Sequence, residues 1–478
     1  MDRFLLVVAI VMLVSRFRIA VLVSAASVLF AAPARGAMVG TPFSGPTHAD
    51  ASVVFWNPGA MSLLERPQGM VHGAVIPIRV HYRRDYLGAG GEPYPQANML
   101  GLLPDLFVGG VSQIGDRLRL GLGVSVPLVD GADWNTSEGG QPSPARYYTL
   151  KTFLAWLFIS PAASLRINRY ISIGAGVDIT AALLQSNMVI DFGARVNQLV
   201  CQQSTGSDCA ADAPLPREDP TYDAPMDVSG MAWDVGGFVG VLLTPTPWLR
   251  LGGVFHSGAG EVGIPVDLDV QIPADVRQYM AQNLPTVTLP PIHAAATLKT
   301  HSPMMVAASA QIAPTASLEL GLDFQWVDKS RMSIFQAALH RTPETSALIT
   351  DQVVFNPFKD YLSFGLRGSY RLLGDRLALA LGLAFEPNTR LDSFASPMLM
   401  DMHKIVLRVG VSWRPTRWVT VVLDYGRFFV IPRTIEPNLL RPNANPTTPE
   451  EEALDRPSPT GRYWAEADRV GIGILLHF

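Results

Sequence analysis

The closing residues of this chain alternate with a period of two. Val470, Ile472, Ile474, Leu476 and Phe478 fall on one side of an extended backbone, while Arg469, Gly471, Gly473 and His477 fall on the other. Leu475 is the one apolar intruder on the second side. Successive side chains of a strand point to opposite faces, so this pattern reads as a strand with one apolar and one polar face. It recurs along the chain. Leu118, Leu120, Leu122, Val124 and Val126 alternate with Arg117, Arg119, Gly121, Gly123 and Ser125. Leu362, Phe364 and Leu366 oppose Ser363, Gly365 and Arg367, and Ile405 to Trp413 alternate in the same way. A soluble sandwich also alternates, so the period alone does not choose between architectures.

The connections make that choice. The pattern predicts fourteen strands near 71–82, 105–114, 117–127, 149–160, 170–184, 229–243, 248–258, 303–312, 316–329, 359–371, 375–386, 402–413, 416–428 and 461–478. From the second strand on, tight turns such as Gly115-Asp116, Leu373-Gly374 and Arg414-Pro415 alternate with long connections such as 83–104, 128–148, 185–228, 259–302 and 429–460. An even strand count with short turns on one side and long loops on the other is the pattern of outer-membrane barrels. After residue 37 no apolar run approaches the ~20 residues that a membrane helix needs. The fold class read here is therefore all-β, a 14-stranded antiparallel transmembrane β-barrel whose apolar face meets lipid. Trp248, Trp326, Trp413, Trp418 and Trp464 fall at strand ends, where interfacial aromatics belong.

The start of the chain agrees with export. Apolar runs at 4–14 and 19–32 flank Arg16 and Arg18 and give way to small residues through Ala37. This reads as a signal peptide over 1–37, with Met12 beginning a more conventional version. A retained membrane helix is the rival reading. Cys201 and Cys209 lie eight apart in a polar stretch of an exported chain, which favours a loop-closing disulfide over a metal site. Only 16% of residues are charged, against about 25% in ordinary soluble domains. A net charge of -4 gives no basic field for nucleic acid.

Residues 38–70 are not barrel on this reading. They contain Ala49-Asp50 and, further on, Asn57-Pro58-Gly59-Ala60. At this point the sequence resembles the FadL/TodX family, outer-membrane transporters of long-chain fatty acids and other hydrophobic compounds, whose N-terminal hatch, with an Ala-Asp…Asn-Pro-Ala stretch, plugs the lumen of a fourteen-stranded barrel. Here the third position is Gly59, with Ala60 after it. The segment Gly121 to Pro127 is similar to the family's third-strand Gly-x-Gly-Val-x-x-Pro. Pro161 to Ser164, Ser172 to Val177, Asp360 to Gly365 with Tyr370, and Gly374-Asp375-Arg376 with Pro387 are similar to later strands, in order.

The resemblance implies capture of an apolar ligand by outer loops, transfer to a barrel pocket, a hatch shift, and lateral exit through a kinked third strand. It makes Asn57, Pro58, Gly59 and Ala60 the hatch-gate candidates and Gly121, Gly123 and Pro127 the kink candidates. An Asn-Pro turn that forms in any context, and glycines that pack the hatch against the wall, are the plainer readings of the same residues. In the loop 259–302, Pro273 suits a helix start, and Val276, Tyr279, Met280 and Leu284 share one helical face. That face is a ligand-capture candidate or simply packs on neighbouring loops. Inward charges Arg117, Arg119, Glu319, Asp323, Arg367, Arg371, Arg408, Asp424 and Arg469 are expected to pair across the lumen. Phe478 resembles the terminal aromatic read by the barrel assembly machinery.

No Gly-x-Ser-x-Gly elbow, His-Glu-x-x-His or phosphate loop occurs, which leaves open only sites assembled from distant loops; no enzyme activity, cofactor or metal is expected. The rivals to a hydrophobic-compound transporter are an open porin for polar solutes and an outer-membrane hydrolase. The expected partners are a fatty acid or other hydrophobic small molecule, outer-membrane lipid and the assembly machinery, with the chain itself a monomer.

Overall fold

The computed structural model describes residues 39–478 apart from 86–92, 135, 195, 198–214, 217, 259, 284–291, 341–351, 356–357, 393–394, 436–459. The signal segment and the Cys201–Cys209 pair lie outside the described residues.

One antiparallel sheet winds round and closes on itself. Its staves are β1 (Gln68–Arg84), β2 (Ala97–Ile114), β3 (Leu118–Asp133), β4 (Lys151–Arg166), β5 (Ile171–Asp191) and β6 (Asp223–Thr246). Then come β7 (Leu249–His256 continued by Glu261–Val270), β8 (Ile292–His301 with Met305–Ile312), β9 (Leu318–Val327 with Ile334–His340) and β10 (Gln352–Phe355 with Tyr361–Leu372). The wall finishes with β11 (Leu377–Glu386), β12 (Lys404–Thr416), β13 (Val419–Val430 with Arg433–Ile435) and β14 (Gly461–His477). Neighbours in sequence are neighbours in space, and β14 pairs with β1 from Gln68↔His477 to Arg84↔Gly461, so no edge is left open by closure. The fourteen staves match the count that the alternation predicts.

The alternation sorts residues as that reading requires. Val71, Val75, Leu322, Leu366, Leu381, Val470 and Ile472 stand exposed on the outer wall, while Met70, His72, Ala74 and Ile76 are buried within. Trp248, Trp413 and Trp418 are about half exposed at the short-turn ends. Several staves run longer than expected: β1 starts at Gln68 on the short-turn side, while β5 continues to Asp191 and β6 begins at Asp223 on the long-loop side.

Two of the apolar clusters within the barrel lie one above the other. The lower one combines Val39, Phe43, Val53, Val54, Phe55, Ala60 and Met61 with wall residues such as Phe107, Phe238 and Val422. The upper one, towards the long loops, combines wall residues such as Ile76, Ile78, Val80, Tyr82, Met99, Leu103, Phe153 and Phe428 with the loop residues Trp134, Ala395, Met400 and Met402.

Candidate functional site

The segment before β1 occupies the lower lumen. A single turn of helix, α1 (Val53–Trp56), runs into a 3₁₀ turn, Pro58–Leu63. Proline disfavours a helical residue before it, and Asn57 accordingly ends α1 in an extended conformation, φ -176° and ψ 98°. The freed Asn57 side chain then serves three backbones. Its Oδ1 accepts from Gly59 N at 3.0 Å, and its Nδ2 donates to Pro46 O and to Val241 O of β6, both at 2.9 Å.

Gly59 is explained by close approach. A Cβ there would stand 3.0 Å from Leu242 N and from Ser172 O, so only glycine lets the turn sit against β5 and β6. The wall answers in kind: a Cβ at Gly174 would lie 2.5 Å from the Pro58 carbonyl carbon, and one at Gly240 2.7 Å from Pro58 Cδ. Ala60 is fully buried. Asp50 ties the segment internally, accepting from Ser52 N at 2.9 Å, from Ser52 Oγ, and from Ser44 Oγ at 2.9 Å.

Guanidinium groups from the wall clamp this segment by its carbonyls. Arg408 and Arg469 both donate to Gly40 O, at 3.2 and 3.1 Å. Arg367 donates to Phe43 O at 3.0 Å, Arg119 to Leu64 O at 3.4 Å, and Arg166 to Ser62 O. The expected lumen pairing is present beside these contacts: Arg367 with Asp323 at 3.2 Å, Arg371 with Glu319 at 3.2 Å, and Arg469 with Asp424 and with Asp105 at 2.7 Å. Arg117 is exposed at the turn before β3. Nothing in the sequence signals the clamping role, because a backbone carbonyl leaves no trace in residue identity.

The wall itself has a break. β3 pairs with β2 from Ile114↔Leu118 to Phe107↔Ser125 and then leaves it; contact resumes only at Ala97↔Ser137 and Asn98↔Thr136. Over Met99–Leu106 of β2, the ladder to β3 is missing among the described residues. On its other side β3 stays with β4 but slips, from Ser125↔Phe158 to Leu128↔Trp156, so that Val126 and Pro127 oppose Leu157 alone. Proline removes a ladder donor, and a bulge of this kind bends a strand. Gly121 and Gly123 lie below the break in unbroken register. Their lack of Cβ serves the buried segment: a Cβ at Gly121 would stand 2.6 Å from Met61 Sδ, and one at Gly123 3.4 Å from Val54 Cγ1.

A cavity lies between this break and α1. Pro127 and Leu128 of β3 line it with Phe55, Phe158, Asp178, Thr180, His256, Met305 and Val327. Its free space is about 20 Å³, room for little more than one water, which needs roughly 10–15 Å³ on the same measure. A hydrocarbon enters only if the wall or the buried segment moves.

The model of outer membrane transport proteins of the OMPP1/FadL/TodX type matches residues 17–441. The chain belongs to the OMPP1/FadL/TodX family. It is an outer-membrane barrel protein of a transport family. Among solved structures, a FadL homologue of Pseudomonas aeruginosa matches with a TM-score of 0.73 at 17% identity, over 94% of this chain and 100% of that one. The toluene transporter TodX of P. putida gives 0.62 at 14%, over 91% and 96%, and the Ralstonia pickettii toluene transporter TbuX 0.60 at 14%, over 92% and 98%. At such identities the likeness carries the fold. No curated protein matches the sequence.

In this member of the OMPP1/FadL/TodX family, the loop helix is α2 (Ala274–Asn283), starting just after Pro273. Val276 and Met280 are buried in a cluster with Phe192, Val196, Leu215, Val270 and Ile272, and Tyr279 packs at its edge. Leu284 lies outside the described residues. Phe478 is half exposed on the outer wall, its N donating to Pro67 O at 3.0 Å.

Proposed function

We propose that this protein carries long-chain fatty acids or related hydrophobic compounds through the outer membrane and releases them sideways into the bilayer. The observation that carries this reading is the unpaired stretch between β2 and β3, together with a cavity that Pro127 and Leu128 of β3 line with Phe55 of the buried segment. Unpaired backbone at membrane depth is costly unless it lines a cavity. The apolar cargo also agrees with the names of the structural relatives, a FadL homologue and toluene transporters.

Residues 38–70 act as the hatch on this reading, with Asn57, Pro58, Gly59 and Ala60 as its gate. Gly121 and Gly123 let it seat, and Pro127 opens the seam. The loop cluster around α2 receives the ligand at Val276, Tyr279, Met280 and Leu284. Cys201 and Cys209 brace the neighbouring loop as a disulfide, Phe478 is presented to the assembly machinery, and the monomer suffices. No catalytic step, cofactor or metal is part of the proposal. A water-filled pore fits less well, because Ile76, Ile78, Val80, Met99 and Leu103 make the upper lumen apolar.

Thr47 Oγ1 of the hatch lies 3.1 Å from Ser309 Oγ of β8, close enough for an engineered bridge. In cells lacking their own transporter, oxidised Thr47→Cys with Ser309→Cys should abolish uptake of a labelled fatty acid or alkane, and reductant should restore it. Uptake that is indifferent to the bridge would remove the gate.

A further inference from the structure

One buried contact of the hatch differs in chemistry from the guanidinium clamps. His256 of β7 points its Nε2 at Phe55 O of α1, 3.0 Å away, and its Nδ1 at Asp178 Oδ2 of β5, 2.6 Å away. Ser160 of β4 donates to the other oxygen of Asp178 at 2.5 Å. Phe238 stacks on the imidazole at 4.8 Å between centroids, and the Phe55 ring lies 5.0 Å away. His256 and Asp178 are both almost fully buried. Both border the cavity at Pro127 and Leu128.

Both ring nitrogens therefore face acceptors. A neutral imidazole has one N–H, and a carbonyl cannot donate, so Nε2 must keep its proton to hold Phe55. The bond on the far side then needs a second proton, carried on Nδ1 or on the Asp178 carboxyl. The set is complete only when the pair holds two protons. If one leaves to water, the remaining proton favours the charge-assisted bond between Nδ1 and the carboxylate. Nε2 then turns a lone pair to the carbonyl, and its hold on the hatch is broken. Of the side chains around the ring, β4 supplies Ser160 and Phe158, β6 Phe238 and β8 Met305, and Asp178 is the titratable neighbour among the cavity-lining residues.

We infer that Asp178 and His256 are positioning residues that form a proton-dependent latch, holding α1 against the wall while doubly protonated and releasing it when singly protonated. The inference deepens the gate reading and rests on it. The test is hydrogen exchange of the 52–60 segment in the detergent-solubilised full chain, followed from about pH 5 to about pH 9 and corrected for intrinsic rates. In the wild type, corrected exchange should accelerate about tenfold with rising pH, the effect of losing one net hydrogen bond. Asp178→Asn is the decisive variant, because its amide can donate to Nδ1 while a neutral His256 donates to Phe55. It should stay protected at every pH. His256→Gln should give a flat profile and serves if Asp178→Asn does not insert. A flat wild-type profile, or Asp178→Asn titrating like the wild type, overturns the latch. Fatty-acid flux into liposomes separates the two ideas. If exchange titrates and flux does not, the latch stands and the gate reading falls.

Discussion

Gly174 carries a sharp prediction because what it lacks is what the buried segment before β1 needs. A methyl at that position meets the Pro58 carbonyl carbon at 2.5 Å, and backbone cannot swing aside as a side chain does. Gly174→Ala should unseat the buried segment at a cost of about 1–3 kcal/mol, typical of overpacking. The measurement is ion leak in planar bilayers together with faster exchange over the 52–60 segment. Asp401, in the loop ahead of β12, is held by another balance. Burial pushes its carboxyl up, but Lys404 and Lys329 and the bonds from Thr389 outweigh that and hold it below the ordinary carboxylate range. Lys404 Nζ lies 3.2 Å away, and Thr389 donates from N at 2.7 Å and from Oγ1 at 2.9 Å. A depressed folded value stabilises above the unfolded one, about 4, and the stability is lost only as pH falls through the lower folded value. Protease protection of the 389–403 loop should therefore persist at mildly acidic pH and vanish only in strong acid. Asp401→Asn should cost about 3 kcal/mol at neutral pH, the low end for breaking a buried pair. Asn57 and Pro58 were legible as a motif. Gly174, Gly240 and the arginine clamps were not, since what they touch is backbone.

Among the elements, β3 shows both what alternation reveals and where it stops. Leu118 to Ser125 could be read from the pattern, and they hold the register expected of them. The slip at Val126 and Pro127 was signalled only by the proline itself. The resemblance placed the kink with Gly121 and Gly123 as well, but a glycine in a strand reports a close neighbour as readily as a bend. Pro127→Val returns a donor and a β-branched side chain to this point, which should favour re-pairing with β2. Flux of a hydrophobic compound into liposomes should fall severalfold with insertion unchanged; undiminished flux would show that the seam is not the exit. The upper ends of β5 and β6 escaped the pattern for a related reason. Above the bilayer a strand no longer has one lipid face, so residues such as Gln185 to Asp191 lose the period while keeping the ladder. The helix α2 was legible because Pro273, Val276 and Met280 act locally.

For the molecule as a whole, strand number, closure and loop segregation were all accessible from sequence, because each is a repeated pattern summed over fourteen staves. A segment inside the lumen was expected only through the family resemblance, and the contacts that hold it there were not legible, since they depend on which inward residues meet across the barrel. The lower half is plugged and clamped, and the upper half is lined with aliphatic and aromatic groups. The intact protein should consequently show no large steady conductance in a planar bilayer, whereas removal of residues 39–66 should produce one. A wild-type pore of porin size would overturn this picture.

The seam between β2 and β3 also bears on the energetics of transport. A channel that opens at its far end must return its cargo to water, undoing the transfer that filled it. An opening in the side wall faces hydrocarbon instead, so each methylene that leaves stays in a medium it prefers by about 0.8 kcal/mol. If the cargo leaves through this seam, as proposed, partitioning supplies the driving force and net flux needs no coupled ion or nucleotide. On that proposal, flux stops once the cargo is at equilibrium between the outside and the receiving leaflet, so removal of the cargo from the membrane by the cell sustains its uptake.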